Sequence, residues 1–209
     1  TTFIPKGLIL MRNHEVVTAH RLLDEKGALI EPGWSRSLVQ IYDRNDIKKR
    51  KTRIKEWDYY YVMSHSNKIA LCLTISHLSY LGMASVSIDN LENATEHTDS
   101  IIVPFTMGKT NLPPTSAVGD VKFKNKKLAM EFLNKGDYRV LRVDYPEFDG
   151  GKGLLANVKL TDEPQDSMVI ATPWAEDKKA FYYNQKIDCL RASGKIEYDG
   201  QLIALDREL

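Results

Sequence analysis

From Trp57 onward, apolar and polar positions alternate with a period of two in short runs closed by Gly, Pro, Asn or Asp. This is the pattern of strands with one buried face rather than of helices. Residues 57–64 carry three consecutive tyrosines, residues 68–76 place Ile69, Leu71, Leu73 and Ile75 on one side, and residues 80–88 set Ala84, Val86 and Ile88 against Met83 and Ser85. Ser64-His65-Ser66-Asn67 is turn chemistry, so the first two runs are expected to pair as a hairpin. Further strands are expected over 101–105, 120–123, 137–143, 154–160, 167–172, 178–183 and 195–198. Asp199-Gly200 is the strongest hairpin signal, because a type I′ turn needs positive φ at both central residues, and residues 202–205 should fold back on 195–198. Residues 126–136 read two ways: a helix closed by Gly136, or a strand with Leu128, Met130 and Phe132 facing inward. The neighbouring pattern favours the strand.

Residues 1–56 lack this rhythm and are rich in turn chemistry, as in Asp24-Glu25-Lys26-Gly27. They are expected to form an irregular lead-in packed on the sheet through Phe3, Leu22, Leu29 and Trp34, followed by an antiparallel β domain over 57–209. The fold class is all-β, as an antiparallel sandwich or an open lipocalin-like barrel.

Charge and cysteine usage narrow the function classes. A net charge of +1, from 29 basic and 28 acidic residues, gives no whole-chain field for a phosphate backbone or an anionic bilayer. Residues 48–55 are the local exception, with Lys48, Lys49, Arg50, Lys51, Arg53 and Lys55. They read as a nucleic-acid patch or as a solvated edge strand whose lysines guard against aggregation. With no wider basic footprint, nucleic acid is set aside as a partner. Cys72 and Cys189 form no metal or disulfide framework and read as two buried thiols. The apolar stretch at 3–11 is too short and interrupted for a signal peptide, and no run of 18 apolar residues occurs, so membrane insertion is not expected and a cytoplasmic location is.

No nucleophile or phosphate-loop motif is present, and His14, His20, His65, His77 and His97 have no ligand spacing, so neither metal nor cofactor is expected. Gly151-x-Gly153-x-x-Ala156 matches a dinucleotide fingerprint only formally; without a following helix there is no dipole for a pyrophosphate, and it reads as a loop.

Three readings of function remain open. In the first, Trp57, Tyr59, Tyr61, Tyr80 and Trp174 line a cavity for a small apolar or amphipathic molecule, with Arg36 or His77 as the polar handle. In the second, a hydratase- or cyclase-type enzyme uses His77 and Tyr80 as catalytic donors, its site completed by further chain. The third is an interaction module using a sheet edge or the basic stretch.

An ordered series of short motifs adds to this: Gly33-Trp34-Ser35-Arg36, Lys55-x-Trp57-x-Tyr59, Thr74-Ile75-Ser76-x-Leu78-x-Tyr80-x-Gly82, Pro104-Phe105, Pro113, Pro173-Trp174 and Leu190-x-Ala192-x-Gly194. From about Leu22 to the end, the chain resembles the DUF2804 domain family. The resemblance implies an uncharacterised function with no catalytic residues to carry over. It also implies longer members with an Asp-, Arg- and Trp-rich second half, of which this chain would be the N-terminal part. Looser analogy points to proteins with two lipocalin-like domains, including carotenoid hydratase-like and Diels-Alderase-like enzymes.

Overall fold

Strand pairing between distant segments, rather than chain order, divides the molecule. The computed structural model describes residues 14–104 and 112–208. Its strands in chain order are β1 (His20–Arg21), β2 (Gly33–Ser35), β3 (Gln40–Ile41), β4 (Glu56–Ser64), β5 (Ile69–His77), β6 (Leu81–Asn90), β7 (Thr95–Pro104) and β8 (Val121–Lys124). There follow β9 (Ala129–Asn134), β10 (Arg139–Tyr145), β11 (Leu154–Thr161), β12 (Met168–Pro173), β13 (Phe181–Lys186), β14 (Arg191–Tyr198) and β15 (Gln201–Glu208). The chain separates into two units, Thr1–Lys49 with Pro164–Asp188 and Arg50–Glu163 with Cys189–Leu209. The boundary therefore falls inside the basic stretch rather than after residue 56. The hairpin of β12 and β13 belongs with the first segment, because β12 pairs antiparallel with β2.

The first unit has a small core of Leu22, Leu23 and Ala171, against which Leu29, Tyr42, Ile47, Phe181 and Tyr183 pack. Leu22 is fully buried and Leu29 partly buried in this unit's own core, and Phe3 lies outside the described residues. The Tyr183 hydroxyl donates to the Gln40 carbonyl at 2.9 Å, and burial pushes its pKa up to about 12.

The second unit is a sandwich of two antiparallel sheets, ordered β4-β5-β6-β7 and β15-β14-β11-β10-β9-β8. One continuous core joins their inner faces: Leu71, Leu73, Ile75, Ala84 and Val86 from the first sheet, and Met130, Leu141, Val143, Val158 and Ile196 from the second. Neither sheet closes on itself, so of the two expected architectures the sandwich is the one formed. The 64–67 and 199–200 turns close hairpins where expected, with Asp199 and Gly200 at φ 53° and 72°. The ambiguous segment is a strand, β9. Met130 and Phe132 face the core, and Gly136, at φ 81°, sits in the next turn instead of capping a helix. Gly194 is required where it stands: at φ 138°, a Cβ there would lie 2.2 Å from the Asn157 carbonyl oxygen of the neighbouring strand.

Two expectations are corrected. Residues 51–53 of the basic stretch form a 3₁₀ turn, closed by Ile54 donating to the Lys51 carbonyl at 3.1 Å, rather than an edge strand. Only Thr52 and Ile54 in that stretch are strand formers, so little favours extension. Cys189 is exposed at φ 65° in the connection before β14, whereas Cys72 is half-buried. The expected 101–105 strand begins earlier, at Thr95, and its last residue, Phe105, lies outside the described residues.

Candidate functional site

The register of β4 decides where its aromatic residues go. The turn at 64–67 pairs Val62 with Leu71, Tyr60 with Leu73 and Asp58 with Ile75, so these face the core. Trp57, Tyr59 and Tyr61 must then point the other way, and they stand in a row on the outer face of the four-stranded sheet, 44, 55 and 48% exposed. They do not wall in a cavity, as the sequence suggested; they line an open surface. Their outer-face neighbours on β5 are Ser76, Thr74 and Cys72, and on β6 Met83, Ser85 and Ser87.

That surface is neutral and rich in hydroxyls. Ser85 meets Ser100 at 2.8 Å and Ser87 meets Thr98 at 2.6 Å, cross-strand pairs of the kind that stabilise sheets. Burial pushes the Cys72 thiol up to about 11, and its sulfur lies 3.7 Å from Asp89. Desolvation of the Tyr59 hydroxyl and its contact with Cys72 hold that phenol above its ordinary value. Both groups are therefore protonated at neutral pH, and the face carries charge only toward Asp89 and Glu96.

The other predicted site residues do not join the row. His77 pairs with Glu56 and Gly82 on the inner-face parity, opposite to Trp57 and its partner Ser76. One ligand could touch both only by passing over the end of the sheet. Tyr80 lies in the β5–β6 turn, half-exposed, with the Lys55 ammonium 5.1 Å from its ring centre. Ser79, at φ 71°, fixes that turn by donating its hydroxyl to the Ile54 carbonyl. Arg36 and Trp174 belong to the first unit and stand at opposite ends of β12. Ser167 donates to the Arg36 carbonyl at 2.7 Å, and Trp174 follows Pro173, so about 20 Å of strand separates them. The Arg36 guanidinium is already engaged by Asp166 at 3.1 Å and Glu15 at 3.3 Å.

Comparison with known families matches residues 13–208 to the domain of unknown function DUF2804. The chain belongs to the DUF2804 family. No curated protein matches it, and no solved structure does.

In this DUF2804 chain the sequence reading missed two polar clusters, both in the second unit. The first surrounds the turn Phe148–Gly151, where Asp149 is held at φ 50°. Its carboxylate accepts from Tyr198 and, at 2.7 Å, from Lys152, and lies 3.3 Å from His97, whose other ring nitrogen is 3.3 Å from Asp99. The Lys152 hydrogen bond, then that of Tyr198, holds the Asp149 pKa below the ordinary carboxylate value. The glycine-rich segment is thus a clamped turn. In the second cluster, buried Arg139 donates to Glu163 at 2.8 Å and to the Tyr60 hydroxyl at 3.3 Å. Asp58 lies close by, its pKa raised by burial and opposed by the Arg139 charge. Each cluster joins residues far apart in the chain, which local periodicity cannot register. Among the described residues, no group of three or more His, Cys, Asp or Glu is placed to hold a metal ion, and no helix is long and apolar enough to cross a membrane.

Proposed function

We propose that this DUF2804 chain is a binding module for a small amphipathic ligand, laid against the outer aromatic face of the four-stranded sheet. The observation that carries the reading is the inversion of β4: Asp58 turns toward the core while Trp57, Tyr59 and Tyr61 turn to solvent. A sheet gains stability by the opposite choice, and such local violations mark functional positions. Alternate residues on one strand are about 7 Å apart, so the three rings form a continuous apolar strip beside two columns of hydroxyls.

The shape of this face favours a hydroxylated ring compound, with a short glycan as the leading class. An alkyl chain gains little unless water is excluded all round it, whereas a sugar ring needs one apolar face covered and hydroxyls answered at its edge. The neutrality of the strip fits an uncharged ligand.

Tryptophan fluorescence titration with gluco-, xylo- and manno-oligosaccharides, beside a fatty acid and an isoprenoid alcohol, tests the proposal. Saturable quenching by one saccharide series, lost in Trp57→Ala, is the expected result. Binding of the lipids alone would retain a ligand-binding role and overturn the glycan assignment. No saturable response from any of them would overturn the proposal.

A further inference from the structure

The outer face of the other sheet holds a different kind of site. Between β9, β10, β11 and β14 lies a groove of about 350 Å³, within the size range of small-molecule sites. Its floor is Leu155, and the charged side chains around it come in two rows set by strand register. Glu131, Arg142, Asn157 and Lys195 lie side by side across β9, β10, β11 and β14; the row two residues along is Ala129, Asp144, Leu155 and Glu197. Each strand that brings a cation to one row brings an anion to the next. The first row thus carries two cations and one anion, Glu131 at its β9 end, and the second carries two anions and no cation, so the groove has a net positive side and a net negative side.

These charges are only partly neutralised by protein neighbours. Arg142 has Glu131 at 3.5 Å, while among the described residues Asp144, Lys195 and Glu197 form no ion pair. No aromatic ring lines the groove, so stacking of a sugar or a base has nothing to rest on, unlike the face of the four-stranded sheet. What the groove answers is a ligand with one anionic and one cationic end.

We propose that this groove binds a short linear zwitterion of dipeptide length, its carboxylate toward Arg142 and Lys195 and its ammonium toward Asp144 and Glu197. Length follows from geometry. The two rows are separated by two residues along a strand, about 7 Å, and two extended peptide residues span about the same distance. A free amino acid is too short to reach both rows. Leu155, 48% exposed, offers apolar contact to a small aliphatic side chain.

The test is titration of the intact chain with L-alanyl-L-leucine, followed by amide chemical shifts, with L-leucine and N-acetyl-L-alanyl-L-leucine as controls. Saturable shifts confined to β9, β10, β11 and β14 are expected, with the two controls each binding about ten-fold more weakly for loss of one charge-assisted contact. The decisive variant is K195E combined with E197K. It keeps composition, net charge and two exposed positions, yet turns the first row net negative and the second neutral, and should weaken the dipeptide at least about ten-fold while the circular dichroism spectrum is unchanged. Equal affinity in that variant, equal affinity for leucine, shifts scattered over the surface, or no saturation would each overturn the assignment.

Discussion

The two outer faces of the sandwich share one core and one period-two pattern, yet they have opposite chemistry. On the four-stranded sheet the solvent side is aromatic and hydroxylic, with Trp57, Tyr59 and Tyr61 beside Ser76, Thr74 and Ser85. On the six-stranded sheet it is charged, with Lys122, Glu131, Arg142, Asp144, Lys195 and Glu197. The inner positions are tied to each other through the core and can change little without changing volume. The outer positions carry no such constraint. Function in this fold is therefore to be sought on the outward half of each strand, and the two faces can be perturbed separately.

The largest expected effect removes the difference by removing the scaffold. Gly194→Ala forces a Cβ onto the Asn157 carbonyl at a backbone angle other residues avoid, and should cost about 3 kcal/mol or more in urea unfolding, with both faces lost together. Core truncations should show the same coupling from either side. Leu73→Ala and Leu141→Ala, at fully buried positions of the two sheets, are each expected to cost about 3 kcal/mol in one cooperative transition. A large asymmetry between these variants in the transition of the second unit would show that the sheets do not share a core energetically.

Outer-face substitutions should separate binding from stability. Tyr59→Ala is expected to leave unfolding within about 0.5 kcal/mol of the parent, because its ring is exposed. It should nonetheless weaken the saccharide of the proposed site by about 1 kcal/mol, several-fold in affinity, and leave dipeptide binding at the charged groove untouched.

How legible these faces were in the sequence differs for a physical reason. Alternation gives the parity of a strand but not which parity faces in. For β4 the aromatic parity looked like the buried one, and only the pairing of Val62 with Leu71 shows otherwise. That pairing was within reach, since the 64–67 turn and the apolar run at Leu71, Leu73 and Ile75 fix it. The charged groove was not. Arg142, Asp144, Lys195 and Glu197 meet only because β14 returns to β11 after a long excursion through the first unit, and no local pattern announces such a return. The same holds for Arg139 and Tyr60. Hairpins closed by local turns, such as β14–β15, were read directly.

The inward residue of the inverted strand sharpens the comparison further. Asp58 has a raised pKa because burial disfavours its charged form, against the pull of Arg139. With a folded-state pKa above the unfolded one, its contribution to stability is full below the unfolded carboxylate value and is lost as pH rises through the folded value. Asp58→Asn removes that loss. The variant should be more stable than the parent by about 1 kcal/mol at neutral pH, with the advantage fading by about pH 3, where both side chains are neutral. A variant less stable at neutral pH would mean that the attraction to Arg139 outweighs the burial penalty.

The smallest effect is kinetic, and it reports on one face alone. Cys72 sits in the hydroxyl column beside Tyr61, its thiol pushed up to about 11, while Cys189 is exposed in the connection before β14. Since the thiolate is the reactive form, a disulfide reagent at about pH 8 should modify the two thiols in separate phases, Cys189 first, with the slow phase accelerating about ten-fold per pH unit. Cys72→Ser should remove the slow phase and Cys189→Ser the fast one. A saccharide bound over Tyr59 and Tyr61 should slow Cys72 further without altering Cys189, and L-alanyl-L-leucine, on the opposite sheet, should alter neither. If the dipeptide protected Cys72 as well, the two faces would be coupled through the core, and the separation on which both binding assignments rest would have to be given up.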